Sequence, residues 1–244
     1  MIEVTGVHKR FGAVVAVDDI SFVAEDGAIT ALLGANGAGK TTTLRMITAV
    51  FAPDRGTVTV DGRDTVKDAT NARSRIGLLS DHRGLYVRLT SRENVRYFGE
   101  LHGLAGPALE ARVEKLMKLL DMSDIADRRV EGFSLGQKLK VAIARAIVHD
   151  PPNVLLDEPT AGLDVMTTRA MRDVILRLRE EGKCVVLSTH VMQEVARLAD
   201  RVVVVARGRV RTVATPAELL RQTGAENLED AFVSALGTDE GVMA

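Results

Sequence analysis

The loop formed by residues 34–42, Gly-Ala-Asn-Gly-Ala-Gly-Lys-Thr-Thr, restricts the possible folds of this chain more than any other stretch. It follows the apolar run 29–33, whose length and flanking glycines favour a buried strand. The glycines let several backbone N–H groups point at one place, Lys40 adds a positive charge, and the Thr41 hydroxyl suits Mg²⁺. Helix-forming residues continue to residue 50, which would set the positive end of a helix dipole below that place. The pattern predicts a phosphate-binding loop for ATP or GTP.

Composition limits the fold and the partners of the chain. At 244 residues it is long enough for one large α/β domain or for a core with an inserted subdomain. A formal net charge of −1, 3% aromatic residues and no Trp provide neither a basic field nor many stacking platforms, so we expect no nucleic-acid partner. The single cysteine, the lack of a basic-apolar leader and the lack of an apolar run of about 18 residues predict a cytosolic protein that does not span a membrane.

Short apolar runs alternate with helical patterns, which predicts a mainly parallel sheet covered on both faces. The turn Arg207-Gly208 predicts a hairpin, so we expect the sheet to end there in antiparallel strands. The helix-rich stretch 91–149 predicts an inserted helical subdomain, and the apolar face of the tail 227–236 predicts packing against the body or a partner. The predicted strands are 2–9, 14–23, 29–33, 57–60, 76–79, 154–156, 184–187, 202–206 and 210–213.

Two carboxylates end the predicted strand 154–156. In open α/β sheets, ligands bind in the crevice at the carboxyl ends of the parallel strands. Asp157 is therefore placed to hold Mg²⁺, directly or through water, and Glu158 to orient or deprotonate an attacking water. The alternative is a strand end with two solvated acids.

The turn that precedes the helical pattern 135–148 has two interpretations. Ser134 and Gln137 have the S-x-x-Q spacing of a capping box, which is enough to explain both residues. A capped helix start that carries a glycine, here Gly136, is also a phosphate site. The same residues can do both.

Two single residues also have two interpretations each, and a third residue has one. Phe11 is either an ordinary core aromatic or a ring that stacks on adenine. His190 follows a buried strand and should project into the crevice of the acidic pair, where its role is either structural or chemical. Asp164 follows that pair closely and is typical of a helix N-cap.

Together these motifs resemble the nucleotide-binding subunit of an ATP-binding cassette (ABC) transporter, and the likeness covers nearly the whole chain in the family's order. The resemblance implies the α/β fold of a P-loop NTPase, with a mostly parallel RecA-like core sheet, an antiparallel β subdomain and an inserted α-helical subdomain. It implies a core of residues 1–83 and 151–220, a helical subdomain of residues 84–150, and a C-terminal helical tail of residues 221–244.

The resemblance also implies site residues, because the motifs match Walker A, Walker B, the signature, the D-loop, the switch histidine and the adenine-stacking aromatic of the family. Those implied to act in catalysis are Glu158, His190 and Lys40. Those implied to bind the nucleotide are Phe11, Gly34, Asn36, Gly37, Ala38, Gly39, Lys40, Thr41, Thr42, Ser134, Gly136, Gln137 and Asp164. Those implied to bind Mg²⁺ are Thr41, Asp81 and Asp157.

The sequence departs from the family pattern at two places. The signature usually reads Leu-Ser-Gly-Gly-Gln, and here Phe133 and Leu135 replace its first residue and its first glycine. Ser134 and Gly136, the expected phosphate contacts, remain. The family's loop glutamine aligns with Asp81. Aspartate still offers an oxygen to Mg²⁺, but it is shorter than glutamine and charged. The part of Asp81 in coupling ATP hydrolysis to transport therefore stays open.

The resemblance implies ATP hydrolysis by a head-to-tail homodimer that holds two nucleotides between its subunits and drives a separate membrane permease. Segments within 84–98 are similar to the Nat-type sodium-extrusion ATPases and their exporter relatives. Residues 227–232 are similar to the tails of exporter cassettes that pair with ABC-2 type permeases. We therefore expect a peripheral subunit at the cytoplasmic face of the cell membrane, with sodium as the exported species.

Three alternatives stay open from the sequence. The exporter could move drugs, lipids or polysaccharides, since the membrane subunits contain the path. A soluble, non-transport ABC ATPase usually carries two cassettes or a long coiled-coil insertion, neither of which fits within 244 residues. A nucleotide-dependent assembly switch with negligible turnover is disfavoured by Glu158.

Overall fold

One mixed sheet, flanked by helices, organises the residues that the computed structural model describes, 1–80 and 84–236. The strands are β1 (Ile2–Phe11), β2 (Val14–Ala24), β3 (Ile29–Leu33), β4 (Arg55–Val60), β5 (Arg63–Asp64), β6 (Ile76–Leu79), β7 (Asn153–Asp157), β8 (Cys184–Thr189), β9 (Arg201–Ala206) and β10 (Arg209–Ala214). The helices are α1 (Lys40–Ile47), α2 (Ala69–Ser74), α3 (Ser91–Leu101), α4 (Gly106–Leu119), α5 (Leu135–Ala146), α6 (Val165–Glu180), α7 (Met192–Leu198), α8 (Pro216–Thr223) and α9 (Leu228–Leu236).

The parallel part of the sheet carries the carboxyl-terminal strand ends that the sequence predicted. Within the described residues the strand order is β5-β4-β1-β2-β10-β9-β3-β8-β7-β6. Strand β3 lies between β8 and β9 and runs parallel to both, and β7 lies parallel to β6 and β8. Every residue of β3, β7 and β8 is buried, as expected for strands covered on both faces. The ends of these strands therefore meet at one edge of the sheet.

The hairpin of β9 and β10 is present, but it lies inside the sheet rather than at its end. Strand β10 runs antiparallel to β9 and is joined to β2 by a parallel pairing of Arg209 with Asp19. Beyond β2 the sheet continues into the antiparallel strands β1, β4 and β5. The hairpin thus connects the parallel strands to the antiparallel ones.

The helix-rich middle of the chain packs its apolar faces onto the sheet. Helix α4 buries Leu109, Val113, Leu116 and Met117, whose spacing places them on one face. These side chains share one apolar cluster with α5 and with residues of β7 and β8. The division of the chain at residues 84 and 150 stays a prediction.

The C-terminal helices α8 and α9 lie against the parallel strands. Leu228, Ala231 and Phe232 of α9 are buried in a cluster with residues of β3 and β9. The apolar face of this tail therefore packs against the body, up to residue 236. Nowhere in the described ranges is a helix both long enough and apolar enough to cross a bilayer.

Candidate functional site

The phosphate-binding loop, residues 34–42, is seated between β2 and β9. A Cβ atom on Gly34 would overlap the carbonyl oxygen of Val205. Gly39 has a φ of 106°, in the range that favours glycine, and a Cβ there would lie 2.7 Å from the carbonyl oxygen of Ala16. These two glycines therefore let the loop approach neighbouring backbone more closely than any other residue type would.

Lys40, the first residue of α1, is held inside this loop. Its Nζ donates to the carbonyl oxygens of Gly34, at 2.7 Å, and Ala35, at 3.2 Å. The same atom lies 3.5 Å from Oε1 of Glu158, and the side chain is only 6% exposed. A positive charge is thus fixed at the floor of the loop, facing a carboxylate.

Asp157 ends β7 opposite the loop and is 5% exposed. The Thr41 hydroxyl donates to its Oδ1 at 3.3 Å, and the Ser188 hydroxyl donates to the same oxygen. Mg²⁺ binds hydroxyl and carboxylate oxygens, so Thr41 and Asp157 fit this ion. In the described part of the chain no group of three or more His, Cys, Asp or Glu could hold a metal ion.

The sequence reasoning missed Ser188, although a signal for it exists. Asp157 and Ser188 are register partners in the parallel pair of β7 and β8. Two strands that end together in an acid and a hydroxyl residue place those side chains next to each other. Aligning the predicted strand ends would have identified Ser188 as the residue that orients Asp157.

Glu158 faces His190 across the ends of β7 and β8. Nδ1 of His190 lies 3.0 Å from both carboxylate oxygens of Glu158. The backbone of Glu158 has a φ of 47°, which is uncommon for a residue other than glycine, and its N–H donates to the Ser188 carbonyl at 3.1 Å. Such strained positions cluster at functional sites. The structure therefore brings His190 to the acidic pair, as predicted.

A cleft of about 400 Å³ opens above the loop. It brings together most residues of the predicted loop with both acids. The residues that line it are Val14, Val15, Ala16, Asn36, Gly37, Gly39, Lys40, Thr41, Thr42, Asp157 and Glu158. Of the remaining predicted loop residues, Gly34 holds Lys40 through its carbonyl, and Ala38 is buried and accepts a hydrogen bond from the N–H of Gly208 at 3.0 Å.

Phe11 stands at the rim of this cleft. It ends β1 and pairs across the hairpin with Val14, which lines the cleft. The ring is 46% exposed, so Phe11 is not an ordinary core aromatic. Its role as an adenine contact stays a prediction.

The signature turn, residues 134–137, lies apart from the cleft lining in the same chain. Ser134 caps α5 by accepting from the N–H of Gln137 at 3.2 Å, and the Gln137 side chain accepts from the N–H of Ser134 at 3.1 Å. Gly136 lines a separate cavity of about 180 Å³ and packs so tightly that a Cβ there would lie 2.8 Å from Cγ2 of Thr167. The capping box is therefore present, and the structure does not join the turn to the cleft.

Asp164 caps the neighbouring helix α6. Its Oδ1 accepts from the N–H of Thr167 at 2.9 Å, and its Oδ2 accepts from the Thr167 hydroxyl at 2.7 Å. These bonds hold the pKa of Asp164 below its usual range, so the cap stays ionised. Asp164 thus lies beside the signature turn rather than beside Lys40. The predicted magnesium ligand Asp81 lies outside the described residues 1–80 and 84–236.

Comparison with known proteins identifies the family. The family model described as ABC transporter matches residues 17–161. The chain is 44% identical over 241 residues to the ABC transporter ATP-binding protein NatA of Bacillus subtilis, which covers 97% of this chain and 98% of that protein. It is 37% identical over 219 residues to the Nod factor export ATP-binding protein I of Burkholderia lata, which covers 90% of this chain and 72% of that protein.

A solved structure has the same architecture. It is a dimeric ATP-binding cassette in a post-hydrolysis state, bound to ADP and Pi, with a TM-score of 0.80 and 28% sequence identity. The match covers 88% of this chain and 98% of that chain. The chain therefore belongs to the ABC transporter family, as one of its ATP-binding, ATP-hydrolysing subunits.

Proposed function

We propose that this chain hydrolyses Mg-ATP between two copies of itself and that hydrolysis drives export through a separate membrane permease. The observation that carries the proposal is the position of Glu158. Its carboxylate lies 3.0 Å from His190 and 3.5 Å from the Lys40 ammonium, next to the phosphate-binding loop. A carboxylate between a phosphate-binding cation and an imidazole is placed to act on a water at the γ-phosphate.

In the proposed reaction, Glu158 accepts a proton from the attacking water. The water oxygen forms a bond to the γ-phosphorus, the bond from this phosphorus to the β–γ bridging oxygen breaks, and ADP and phosphate result. Lys40 and the loop N–H groups neutralise charge on the phosphate oxygens, and His190 orients Glu158. Mg²⁺, when bound by Thr41 and Asp157, would supply further charge neutralisation at the phosphates.

The second copy is proposed because the signature turn does not line the cleft of its own chain. Near that turn, Leu135 is 45% exposed, and Val165 and Met166 at the start of α6 are 83% and 72% exposed. Apolar side chains at this level of exposure suit a face covered by a partner. In a head-to-tail pair, Ser134 and Gly136 of one copy would close the cleft of the other. The similarity to a dimeric cassette bound to ADP and Pi supports this arrangement.

An exposed apolar groove on the helical side supports a membrane partner. The groove has a volume of about 460 Å³, and Tyr86, Val87 and Tyr97 in it are each more than a third exposed. A short amphipathic helix of a permease could lay its apolar face there. We propose an ABC-2 type permease and a position at the cytoplasmic face of the cell membrane.

Export, with sodium as the substrate, is the finer proposal. It is supported by the resemblance of segments within 84–98 to Nat-type ATPases and by the similarity to NatA. Export in general is also supported by the similarity to a Nod factor export protein.

The test is to co-express the chain with a candidate ABC-2 type permease and to measure uptake of radioactive sodium into inside-out vesicles. We expect uptake that requires ATP and that is lost in the Glu158→Gln variant. ATP-dependent uptake of a drug or lipid without sodium would contradict sodium as the substrate. A chain that hydrolyses ATP but never co-purifies with membranes containing the permease would favour the soluble, non-transport alternative.

A further inference from the structure

The exposed ring of Phe11 rests on a second aromatic ring that follows the phosphate-binding helix. Phe51 lies just beyond the end of α1, and its ring centroid is 5.3 Å from that of Phe11. The two ring planes make an angle of 82°, the edge-to-face arrangement that aromatic pairs favour. The contact fixes the tilt of the Phe11 ring while much of that ring stays open to solvent.

A lysine joins both rings to the backbone. Nζ of Lys9 lies 5.7 Å from the Phe11 centroid and 5.5 Å from the Phe51 centroid, within the range of cation–π attraction. It also donates to the carbonyl oxygen of Ala52 and to Oδ1 of Asp54, each at 2.8 Å. The hydrogen bond from Lys9 holds the pKa of Asp54 below its usual range, so the ion pair persists at neutral pH.

The segment that carries Phe51 is tied to β1 along its length. The backbone N–H of Arg10 donates to Oδ2 of Asp54 at 2.8 Å, and the N–H of Asp54 donates to the His8 carbonyl oxygen at 2.8 Å. Phe51 is therefore not a loose side chain beside Phe11. It belongs to a braced unit of residues 8–11 and 51–54.

Within this braced unit, Arg10 and Phe11 pair across the hairpin with residues that line the cleft. The cross-strand partner of Phe11, Val14, lines the cleft together with Val15, whereas Phe51 does not belong to the lining. Phe51 is thus connected to the cleft through the Phe11 ring. The helix that starts at Lys40 leads directly to it, so the phosphate contact and the support for the base lie at opposite ends of α1.

We infer that Phe51 is a positioning residue for adenine, holding the Phe11 ring at the tilt on which the base stacks. The inference rests on the proposed function of the cleft, with Phe11 as the adenine contact. It adds a residue that belongs to none of the predicted motifs and does not line the cleft.

The test compares a ligand that has a base with one that lacks it. The full chain is titrated calorimetrically with Mg-ATP and with magnesium tripolyphosphate. We expect Phe11→Ala to weaken ATP binding about 5- to 100-fold, the range for a lost base stack. We expect Phe51→Ala to weaken it about 2- to 10-fold, the range for a lost aromatic pair. Both variants should bind tripolyphosphate as the unaltered chain does, and Phe51→Ala should raise KM without lowering kcat.

Three further variants separate positioning from simple destabilisation. Phe51→Tyr keeps the ring edge and should restore ATP affinity, whereas Phe51→Leu keeps an apolar side chain without the ring and should behave like Phe51→Ala. Val23→Ala truncates a residue of similar exposure to Phe11 at the far end of β2, and it should change neither affinity.

Each unfavourable outcome has a distinct meaning. Normal ATP binding in Phe11→Ala would refute the adenine contact and the inference with it. A weakened Phe11→Ala beside a normal Phe51→Ala would overturn the positioning role and leave the adenine contact standing. An equal loss of ATP and tripolyphosphate in Phe51→Ala would show an effect on the phosphate-binding loop, and would also overturn it.

Discussion

The phosphate-binding loop and the signature turn are both glycine-bearing starts of helices, and the fold treats them differently. In the loop, the buried Lys40 faces Glu158 at 3.5 Å within one chain. In the signature turn, Ser134 and Gln137 cap α5 by bonding each other, next to the exposed Leu135. The first arrangement is an ion pair that lines an open cleft. The second is complete as local structure, so its function depends on what a second copy brings to it.

The largest expected effect comes from changing Glu158, the carboxylate that faces Lys40 at the phosphate-binding loop. Glu158→Gln keeps the shape of the side chain but cannot take a proton, so phosphate release should fall about 10²- to 10⁴-fold. ATP binding should persist, because Lys40 and the loop are unchanged, and size-exclusion chromatography with ATP should show a dimer. Near-normal turnover would refute the assignment of Glu158 as the base.

The next effect concerns the buried cation of the loop. Lys40→Ala removes the charged contact to the phosphates and should weaken ATP binding about 10- to 100-fold in a fluorescent-nucleotide titration. Lys67→Ala is the matched control, because that side chain is 84% exposed and lies outside the cleft. Unchanged ATP binding in Lys40→Ala would refute the role of this loop in binding phosphate.

The signature turn can be tested with its cap kept intact. Aspartate also caps helices, so Ser134→Asp should preserve stability while placing a negative charge where a partner's phosphate would bind. We expect ATP binding by the monomer to be unchanged, and ATP-dependent dimer formation and turnover to fall at least about tenfold.

The control for this variant is the capping box of α3. Thr90 caps that helix through Glu93 in the same geometry as Ser134 and Gln137, but away from the cleft. Thr90→Ala should cost about 1 kcal/mol of unfolding free energy in urea denaturation and leave turnover unchanged. If Ser134→Asp forms the dimer normally, the signature turn is only a cap.

The smallest expected effect comes from His149, which lies just beyond the C-terminal end of α5. Burial, and then the neighbouring His102, lower the pKa of His149 from 6.5 to about 4, and the two rings are stacked with centroids 3.6 Å apart. The unfolded chain therefore binds a proton at pH values where folded His149 does not. Its contribution to stability is complete above about pH 6.5 and is lost as the pH falls towards 4.

Urea denaturation at pH 7 and pH 5 checks this. The unfolding free energy of the unaltered chain should be lower at pH 5 than at pH 7. The decrease should be smaller in His149→Gln. Equal falls would contradict the assignment of this proton to His149.

The loop and its strand-loop-helix setting could be predicted from sequence because their signals are local. Gly39, Lys40 and Thr41 are adjacent, and the apolar run before them is short and fully buried. The turn Arg207-Gly208 was equally visible. The place of its hairpin in the sheet was not, because the pairing of Arg209 with Asp19 joins residues that are distant in the chain and carry no matching pattern.

The residues that support the site were the least predictable. Ser188 touches Asp157, and Phe51 touches Phe11, each across a contact made only by folding. The capping boxes of Ser134 and Thr90 have the same geometry, so local structure alone cannot distinguish a phosphate site from a cap. Such roles depend on neighbours from other strands or from another chain.

The turn between β9 and β10 has a mechanical consequence. The N–H of Gly208 donates to Ala38 in the phosphate-binding loop, and its carbonyl accepts from the N–H groups of Asp18, at 2.8 Å, and Asp19, at 3.1 Å. Gly208 thus links the β9–β10 turn by hydrogen bonds to both β2 and the phosphate-binding loop. Separating the antiparallel strands from the parallel ones at this turn would break these hydrogen bonds, one of which ends in the nucleotide loop.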